Sequence, residues 1–278
     1  MREIRPDLLE RYAALRFRSE YDYALFEYYR SPKVIAFLEK AGVVIRGRVL
    51  DCGCGGGGMP LSIAEHAAAV VGIDPIDRFS EAGARLARER DVKNLRFVQA
   101  DGMALPFTDE SFDLILSHAV IEHVADALEY LKECRRVLAP TGQMYLSTAP
   151  YLSFAGAHLP RLRVPIPLHL LLGRPLAFQT FRWLARRAPW TLREPRYENS
   201  FIRDAERGVV KHDDLLEKVR VRRLRRLISD AGLTVVREQL AIIGTLRRMP
   251  PSVARYFRDN PLTQDIVLNN IEYVLARV

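Results

Sequence analysis

The stretch Val49-Leu50-Asp51-Cys52-Gly53-Cys54-Gly55-Gly56-Gly57-Gly58 puts an acid near the end of an apolar run, followed by five glycines within six residues. Residues without Cβ let a small molecule lie against bare backbone and permit positive φ, so this spacing predicts a ligand loop and not a linker. Pro60 suits the first turn of a helix that continues over residues 61–67. Polar residues also stand where three later apolar runs stop: Asp74 after 69–73, Asp101 after 95–100, and Ser117-His118 after 112–116. At the carboxyl edge of a parallel sheet, a carboxylate such as Asp74 is placed to accept both hydroxyls of a ribose. The glycine turn alone does not select the ligand, because dinucleotide folds use a related one.

Four apolar runs that close in polar residues, with helical segments between the first three, describe strands of an α/β protein opening onto one crevice. Their order resembles the class I S-adenosylmethionine-dependent methyltransferases, in particular the group that includes ubiquinone/menaquinone-biosynthesis methyltransferases. Asp51-x-Gly53-x-Gly55-x-Gly57 resembles that family's first motif, and Gly72-Ile73-Asp74 its ribose-binding acid. Ala100-Asp101-Gly102-Met103-Ala104-Leu105-Pro106-Phe107, followed by Ser111-Phe112-Asp113, is similar to its adenine-side segment. Arg135-Arg136-Val137-Leu138-Ala139-Pro140-Thr141-Gly142-Gln143 resembles the helix end and turn before the fifth strand, with Thr141 departing from the usual Pro-Gly-Gly. The resemblance is strong over residues 45–150, reaches a late helix-to-strand step at 231–236, and says little of 1–40 or 151–210.

The resemblance implies one Rossmann-like, doubly wound domain with a mostly parallel seven-stranded sheet, whose terminal strand at 271–276 is antiparallel. The chain divides into a helical N-terminal extension (1–44), a cofactor-binding core (45–150) and the C-terminal part of the sheet (211–278), and residues 151–210, which combine prolines, histidines and apolar residues just past the fifth strand, read as a substrate-side cap. The resemblance also implies S-adenosylmethionine as cofactor and S-adenosylhomocysteine as product. Asp51 would orient the loop or reach the cofactor's amino-acid end, with Gly53, Cys54, Gly55 and Gly57 lying close beside it. Asp74 and Pro75 belong to the ribose side, Asp101 would accept from the adenine amino group beside Gly102 and Met103, and Ser117 completes the set.

In-line methyl displacement asks the protein chiefly to align reactants, an effect worth about 7–11 kcal/mol. A proton acceptor is the second requirement, and His118, His123 and His158 are the candidates. Tyr151, His158 and His169 follow the fifth strand and are candidates for acceptor contact. A lone histidine is usually structural, and an already anionic nucleophile needs no base.

The 278 residues, 49% of them hydrophobic, suffice for one domain with additions. Three cysteines form no disulfide framework, and Cys52-Gly53-Cys54 has no second Cys/His pair at metal-ligand spacing, so no metal is expected. Cys52 reads as a small buried strand residue and Cys54 as a loop residue beside the cofactor. No apolar run reaches the roughly 20 residues of a membrane span, and no apolar region follows Met1-Arg2-Glu3-Ile4-Arg5-Pro6. The expected location is therefore cytoplasmic, with peripheral membrane contact allowed.

Of the formal net charge of +8, residues 151–230 carry +9, from 17 Lys+Arg and 8 Asp+Glu. Such a region suits an anionic substrate, an acidic membrane surface or nucleic acid, or is a solvated face. Within it, Phe178, Phe181, Trp183, Leu184 and Trp190 alternate with Arg182, Arg186 and Arg187 as an amphipathic segment. Arg220-Val221-Arg222-Arg223-Leu224-Arg225-Arg226-Leu227 falls on a helix expected over 215–230, and its Val/Leu spacing favours packing on the sheet over RNA contact.

The leading expectation is methyl transfer to a small apolar or amphipathic acceptor such as a lipid, a quinone-like compound or a glycolipid, at oxygen before carbon. An RNA methyltransferase is the enzyme rival, but the chain lacks the Asn/Asp-Pro-Pro-aromatic motif of many amino-directed nucleic-acid enzymes. A nicotinamide-dependent oxidoreductase and a noncatalytic cofactor-binding protein are the other readings.

Overall fold

A computed structural model describes residues 5–15, 18–160, 162–164, 166–192 and 217–278. The remainder of the expected cap, 193–210, and the first two residues of the helix expected over 215–230 lie outside the described residues. Seven strands make one sheet: β1 (Arg48–Cys52), β2 (Ala69–Asp74), β3 (Leu95–Gln99), β4 (Phe112–His118), β5 (Leu138–Thr148), β6 (Leu233–Ile242) and β7 (Leu268–Arg277), in the order β3-β2-β1-β4-β5-β7-β6. β3, β2, β1, β4 and β5 pair in parallel, whereas β7 is antiparallel to both β5 and β6. The reversal of strand order beside β1 opens the crevice where ligands bind in such sheets.

Both faces of the sheet are covered. On one, α6 (Ala127–Val137) and α8 (Val221–Asp230) bury Tyr130, Leu131, Leu224 and Ile228 against Leu50, Ile115 and Met144. On the other, α3 (Pro32–Lys40) and α4 (Gly58–Ala64) bury Phe37, Leu38 and Ile63 against Val49, Leu116 and Tyr145. The N-terminal extension holds two further helices, α1 (Pro6–Leu15) and α2 (Glu20–Arg30). Ala24, Leu25 and Tyr28 of α2 pack with Leu61 of α4 and with Ala82 and Leu86 of α5 (Ala82–Glu89). The α2 N-terminus is capped by Ser19, whose hydroxyl accepts from the Asp22 amide, and Pro32 opens α3 at the position where its missing N–H costs least.

Several boundaries differ from the expectation. The turn expected before the fifth strand is instead an irregularity within β5: Leu138 pairs with Phe112 and Gln143 with Leu114, so 139–142 bulge out opposite Asp113. Gly142 permits this, because a Cβ there would press on Leu138 and the Ala139 carbonyl. Residues 217–220 are not helical, and α8 starts at Val221, whose amide donates to Asp265. Two of its arginines are engaged by acids, Arg223 by Glu217 and Arg225 by Glu238. The helix expected over 61–67 ends at Ala64.

The described part of the cap is a helix, α7 (Leu168–Arg187), broken at Gly173, where φ is 71°, just before Pro175. The amphipathic segment reads either as contact surface or as cover for a core, and Phe178 and Phe181 follow the second reading: they are buried with Ala157, Leu159, Ala177, Ala185 and Leu192 in an apolar cluster of the cap's own. Among the described residues no helix is long and apolar enough to cross a membrane.

The tightest contact in the fold is between α2 and the start of α4. A Cβ on Gly58 would overlap the Ala24 carbonyl, a backbone group that cannot swing aside. Gly58→Ala should therefore destabilise the chain by about 1–3 kcal/mol, the usual cost of overpacking. Urea denaturation would measure it; unchanged stability would mean that α2 does not rest on α4 in this way.

Candidate functional site

The carboxyl ends of β1, β2, β4 and β5 meet at one edge of the sheet, and the candidate residues divide there into two groups. The first surrounds the glycine loop. Gly53, Gly55 and Gly57 all have positive φ (85°, 52° and 84°), which glycine adopts without steric cost. Their surroundings differ, however. A Cβ on Gly53 would overlap Val120, and one on Gly57 would strike the Phe97 ring. On Gly55 its nearest neighbour, Glu27 Oε1, would stand at 3.6 Å. Gly53 and Gly57 are thus required by packing against the β4 turn and β3, whereas a Cβ on Gly55 would meet only ordinary van der Waals contacts from Glu27 and Tyr23.

Asp74 holds this loop in place. Its Oδ2 accepts from the Gly55 amide at 3.0 Å and its Oδ1 from the Ile76 amide at 2.9 Å, which leaves acceptor capacity on both oxygens for a diol. Next along the edge, Gln99 Nε2 donates to the Pro75 carbonyl at 2.9 Å. Asp101, exposed, accepts from the Met103 amide at 2.9 Å, which shapes the Gly102-Met103 turn.

Asp51 is buried, and its Oδ2 accepts no hydrogen bond. Burial pushes its carboxyl well above the usual range, with Glu27 and Asp74 adding to the effect and Arg30 opposing it. Glu27, from α2, shares this environment. Its Oε2 is likewise buried without a hydrogen-bond partner, and burial lifts its pKa to about 7, against the pull of Arg30 and of the Gly58 amide. The sequence reading passed over Glu27. Its only signal is an acid in the stripe that also holds Leu25 and Tyr28. The Cys54 side chain is buried near Gly72, and Ser117 is fully buried and accepts from Tyr130 at 2.7 Å, so neither side chain is open to a ligand.

The second group lies beyond β4 and β5. His118 stacks on Tyr145, with Nδ1 3.3 Å from the phenol oxygen, and the phenol donates to Glu272 at 3.0 Å. Burial, with Arg30 nearby, pushes the His118 imidazole down to about 3. His118 is therefore neutral, and its ring is taken up by Tyr145 through both the stack and Nδ1. His169 is also tied down, with Nε2 3.1 Å from the Leu152 carbonyl, and Tyr151 is anchored through its amide to Val219.

His123 and His158 come together, with ring centroids 5.2 Å apart. His158 Nε2 is 3.6 Å from Glu122 Oε1, and the other carboxylate oxygen, Oε2, accepts from the Thr148 hydroxyl at 2.9 Å. Burial, then His123 and Arg174, pushes His158 to about 4, and burial raises the Glu122 carboxyl. Ala119 and His158 both sit at positive φ (57° and 49°), an unusual cost for non-glycine residues that gathers around this cluster. Donor atoms of Glu122, His123 and His158 all lie within 4.8 Å of one another. Three protein donors also match the ligand count of a catalytic metal site. Glu122, hidden in the sequence beside His123, was the second residue missed.

Residues 50–146 match the family described as Methyltransferase domain. The chain contains a methyltransferase domain. It is 34% identical over 151 residues to YcgJ of Bacillus subtilis strain 168, named an uncharacterized methyltransferase, and 40% identical over 101 residues to a ubiquinone biosynthesis O-methyltransferase of Cereibacter sphaeroides. These matches take in 50% and 36% of this chain, and 60% and 40% of the relatives' own length. In fold, the YcgJ crystal structure matches 88% of this chain and 98% of its own (TM-score 0.52, 17% identity). A SAM-dependent methyltransferase from Aquifex aeolicus matches 91% and 92% (TM-score 0.50, 14% identity). The [4+2]-cyclase SpnF matches 89% and 80% (TM-score 0.53, 16% identity). At such identities the likeness is one of fold, which does not by itself decide the reaction.

The residues present fit S-adenosylmethionine. Asp74 offers acceptors for a diol, and Asp51 an orphaned buried oxygen suited to a cationic group. Asp74→Ala should weaken S-adenosylhomocysteine binding by about 1–3 kcal/mol, since ribose donors lose their acceptor and the Gly55 amide its anchor. Calorimetry on the folded variant measures this, and unchanged affinity would remove Asp74 from the site.

Proposed function

We propose that this chain transfers a methyl group from S-adenosylmethionine to oxygen of a small amphipathic acceptor, and that the acceptor is drawn from an anionic membrane surface. The observation that carries the reading is the juxtaposition, on one sheet edge, of the acid-lined glycine loop with the Glu122–His158 pair under the cap. Bound at the loop, the cofactor supplies an activated methyl group on a sulfonium. Asp74 would hold its ribose, Asp101 and the Gly102-Met103 backbone its adenine, and Asp51 its amino-acid end. His158 is neutral at pH 7 and so able to accept the acceptor's proton, and Glu122 would stabilise the resulting imidazolium. The name of the Cereibacter relative supports oxygen as the accepting atom and a quinone-like acceptor.

Support for the membrane source comes from α7. Trp183 and Trp190 are 59% and 69% exposed, and Leu171 and Leu176 are also exposed. Arg182, Trp183, Arg186 and Arg187 line a concavity of about 330 Å³. Aromatic and leucine side chains beside arginines suit the headgroup region of an anionic bilayer. The engagement of Arg223 and Arg225 by acids leaves the rival RNA surface on α8 weaker than its composition implied.

His158→Ala should lower kcat by about 10²–10⁴-fold while leaving S-adenosylhomocysteine affinity unchanged. Because a base acts when deprotonated and His158 is depressed to about 4, kcat at saturating cofactor should stay flat from pH 8 down to about 5.5. Loss of activity in chelator, restored by zinc, would make Glu122, His123 and His158 a metal centre instead. For the acceptor, labelled-methyl transfer should appear in the lipid fraction and survive ribonuclease; label confined to RNA would reject it. Replacing Trp183 and Trp190 by alanine should abolish sedimentation with phosphatidylglycerol vesicles, and unchanged sedimentation would detach the membrane source from α7.

A further inference from the structure

We propose that Glu27 is a cofactor-binding residue: with Asp51 it forms a two-carboxylate socket for the α-ammonium group of the bound cofactor, and binding drives a proton out of that socket. The inference rests on the glycine loop being the S-adenosylmethionine site, and adds to it a ligand from outside the matched segment 50–146.

The two acids come from separate elements, α2 and the end of β1, yet share one buried environment. Glu27 Oε2 and Asp51 Oδ2 are both buried and accept no hydrogen bond. Burying carboxylates without full compensation costs several kcal/mol per ion, so such a pair signals a missing cation more than a structural bond. The local charges leave it uncompensated. Glu27 faces Arg30 (Nη2 at 4.0 Å from Oε1) and the Gly58 amide as favourable groups, and Asp51, Asp74 and Glu20 as repulsive ones. Asp51 faces Glu27, Asp74 and Arg30. One guanidinium thus serves both Glu27 and Asp51, and it also lies near His118 and Tyr145.

Position points the same way. Both carboxylate oxygens of Glu27 stand beside Gly55, Oε1 at 3.6 Å and Oε2 at 3.9 Å from where a Cβ there would be. A glutamine would accept the Gly58 hydrogen bond as well and at less cost in burial, so the acid itself is the informative choice. In the free chain burial holds Glu27 protonated below about pH 7. An ammonium group in the socket favours the ionised form, so binding releases a proton, and affinity rises with pH. Affinity at pH 6 should be about tenfold below that at pH 8, the factor set by one proton of pKa 7.

Calorimetry with S-adenosylhomocysteine, in two buffers of different ionisation heat, tests the proposal directly on the whole chain. Wild type should release about one proton near pH 6.5 and bind tighter at pH 8 than at pH 6. Glu27→Gln should release markedly less, lose the pH dependence, and bind at least tenfold weaker at pH 8. Its binding of 5′-methylthioadenosine, which lacks the amino-acid end, should be unchanged. Thermal unfolding gives a second readout. A carboxyl whose pKa is raised on folding stabilises below its unfolded value and loses that contribution as pH climbs through about 7, so Glu27→Gln should melt higher than wild type at pH 8. If S-adenosylhomocysteine fails to bind wild type, the cofactor reading falls. If it binds wild type and Glu27→Gln equally, with equal proton release, Glu27 is only a structural cap on α4 and the proposal is overturned. Should the variant not fold, a wild-type affinity flat between pH 6 and pH 8 overturns it equally.

Discussion

The site depends on how closely the backbone of α2 lies on the glycine loop. Gly56 and Gly58 leave no Cβ between that loop and Ala24, so a helix from outside the sheet comes to rest on the start of α4. The rest follows from that contact. It excludes water from Asp51 and Glu27, and so raises both carboxyls. It also fixes the apolar contact of Ala24, Leu25 and Tyr28 with Leu61 and Leu86. One turn along the same face α2 is pinned by Tyr28 donating to Glu65 at 2.5 Å and by the Arg90 guanidinium 4.0 Å from the Tyr28 ring. A lid attached so firmly acts by shaping the dielectric around the loop, and large excursions are not needed for it to matter.

The two halves of the site use burial differently. Around the loop it accumulates carboxylates of one sign, which makes the free chain less stable than it could be and favours a cation. Beyond β4 it lowers two imidazoles and raises one carboxyl, so that the Glu122–His158 pair starts near neutrality. Positive φ at Ala119 and His158 keeps that pair in register with Thr148 at the end of β5. The orphaned carboxylates Asp51 and Glu27 and the positive φ of Ala119 and His158 lie along the same edge of the sheet, as expected where stability is traded against binding.

Most of the sheet was legible because its signals are local. Apolar runs ending in Asp74, Asp101 and Ser117-His118 mark strand ends, and the glycine loop needs no tertiary information. Resemblance, not periodicity, supplied the antiparallel β7. What failed were details set by neighbours. The Pro140-Thr141-Gly142 segment reads as a turn, but pairing with β4 draws it into β5 as a bulge. The amphipathic pattern of 178–190 leaves surface and core cover both open, and packing alone decides that Phe178 and Phe181 form the cap's own core. Glu27 was invisible because its meaning comes from a contact between residues far apart in the chain. For Cys54 and Ser117 the position on the motif was readable, but the inward direction of their side chains was not.

Chemistry and cofactor site occupy different parts of the molecule, and this bears on how far the fold can be pressed. SpnF, a [4+2]-cyclase, has the same architecture at TM-score 0.53, so the sheet does not select a reaction. The matched segment ends at residue 146, before Thr148, His158 and α7. His158 and α7 belong to a cap with its own small core, built from Phe178, Phe181 and Leu159. A cap that packs on itself leaves its outer face free of duty to the fold. On the function proposed above, Trp183 and the arginines of α7, with Trp190 just beyond it, are the surface that meets the membrane, and acceptor choice falls to them and to Glu122–His158.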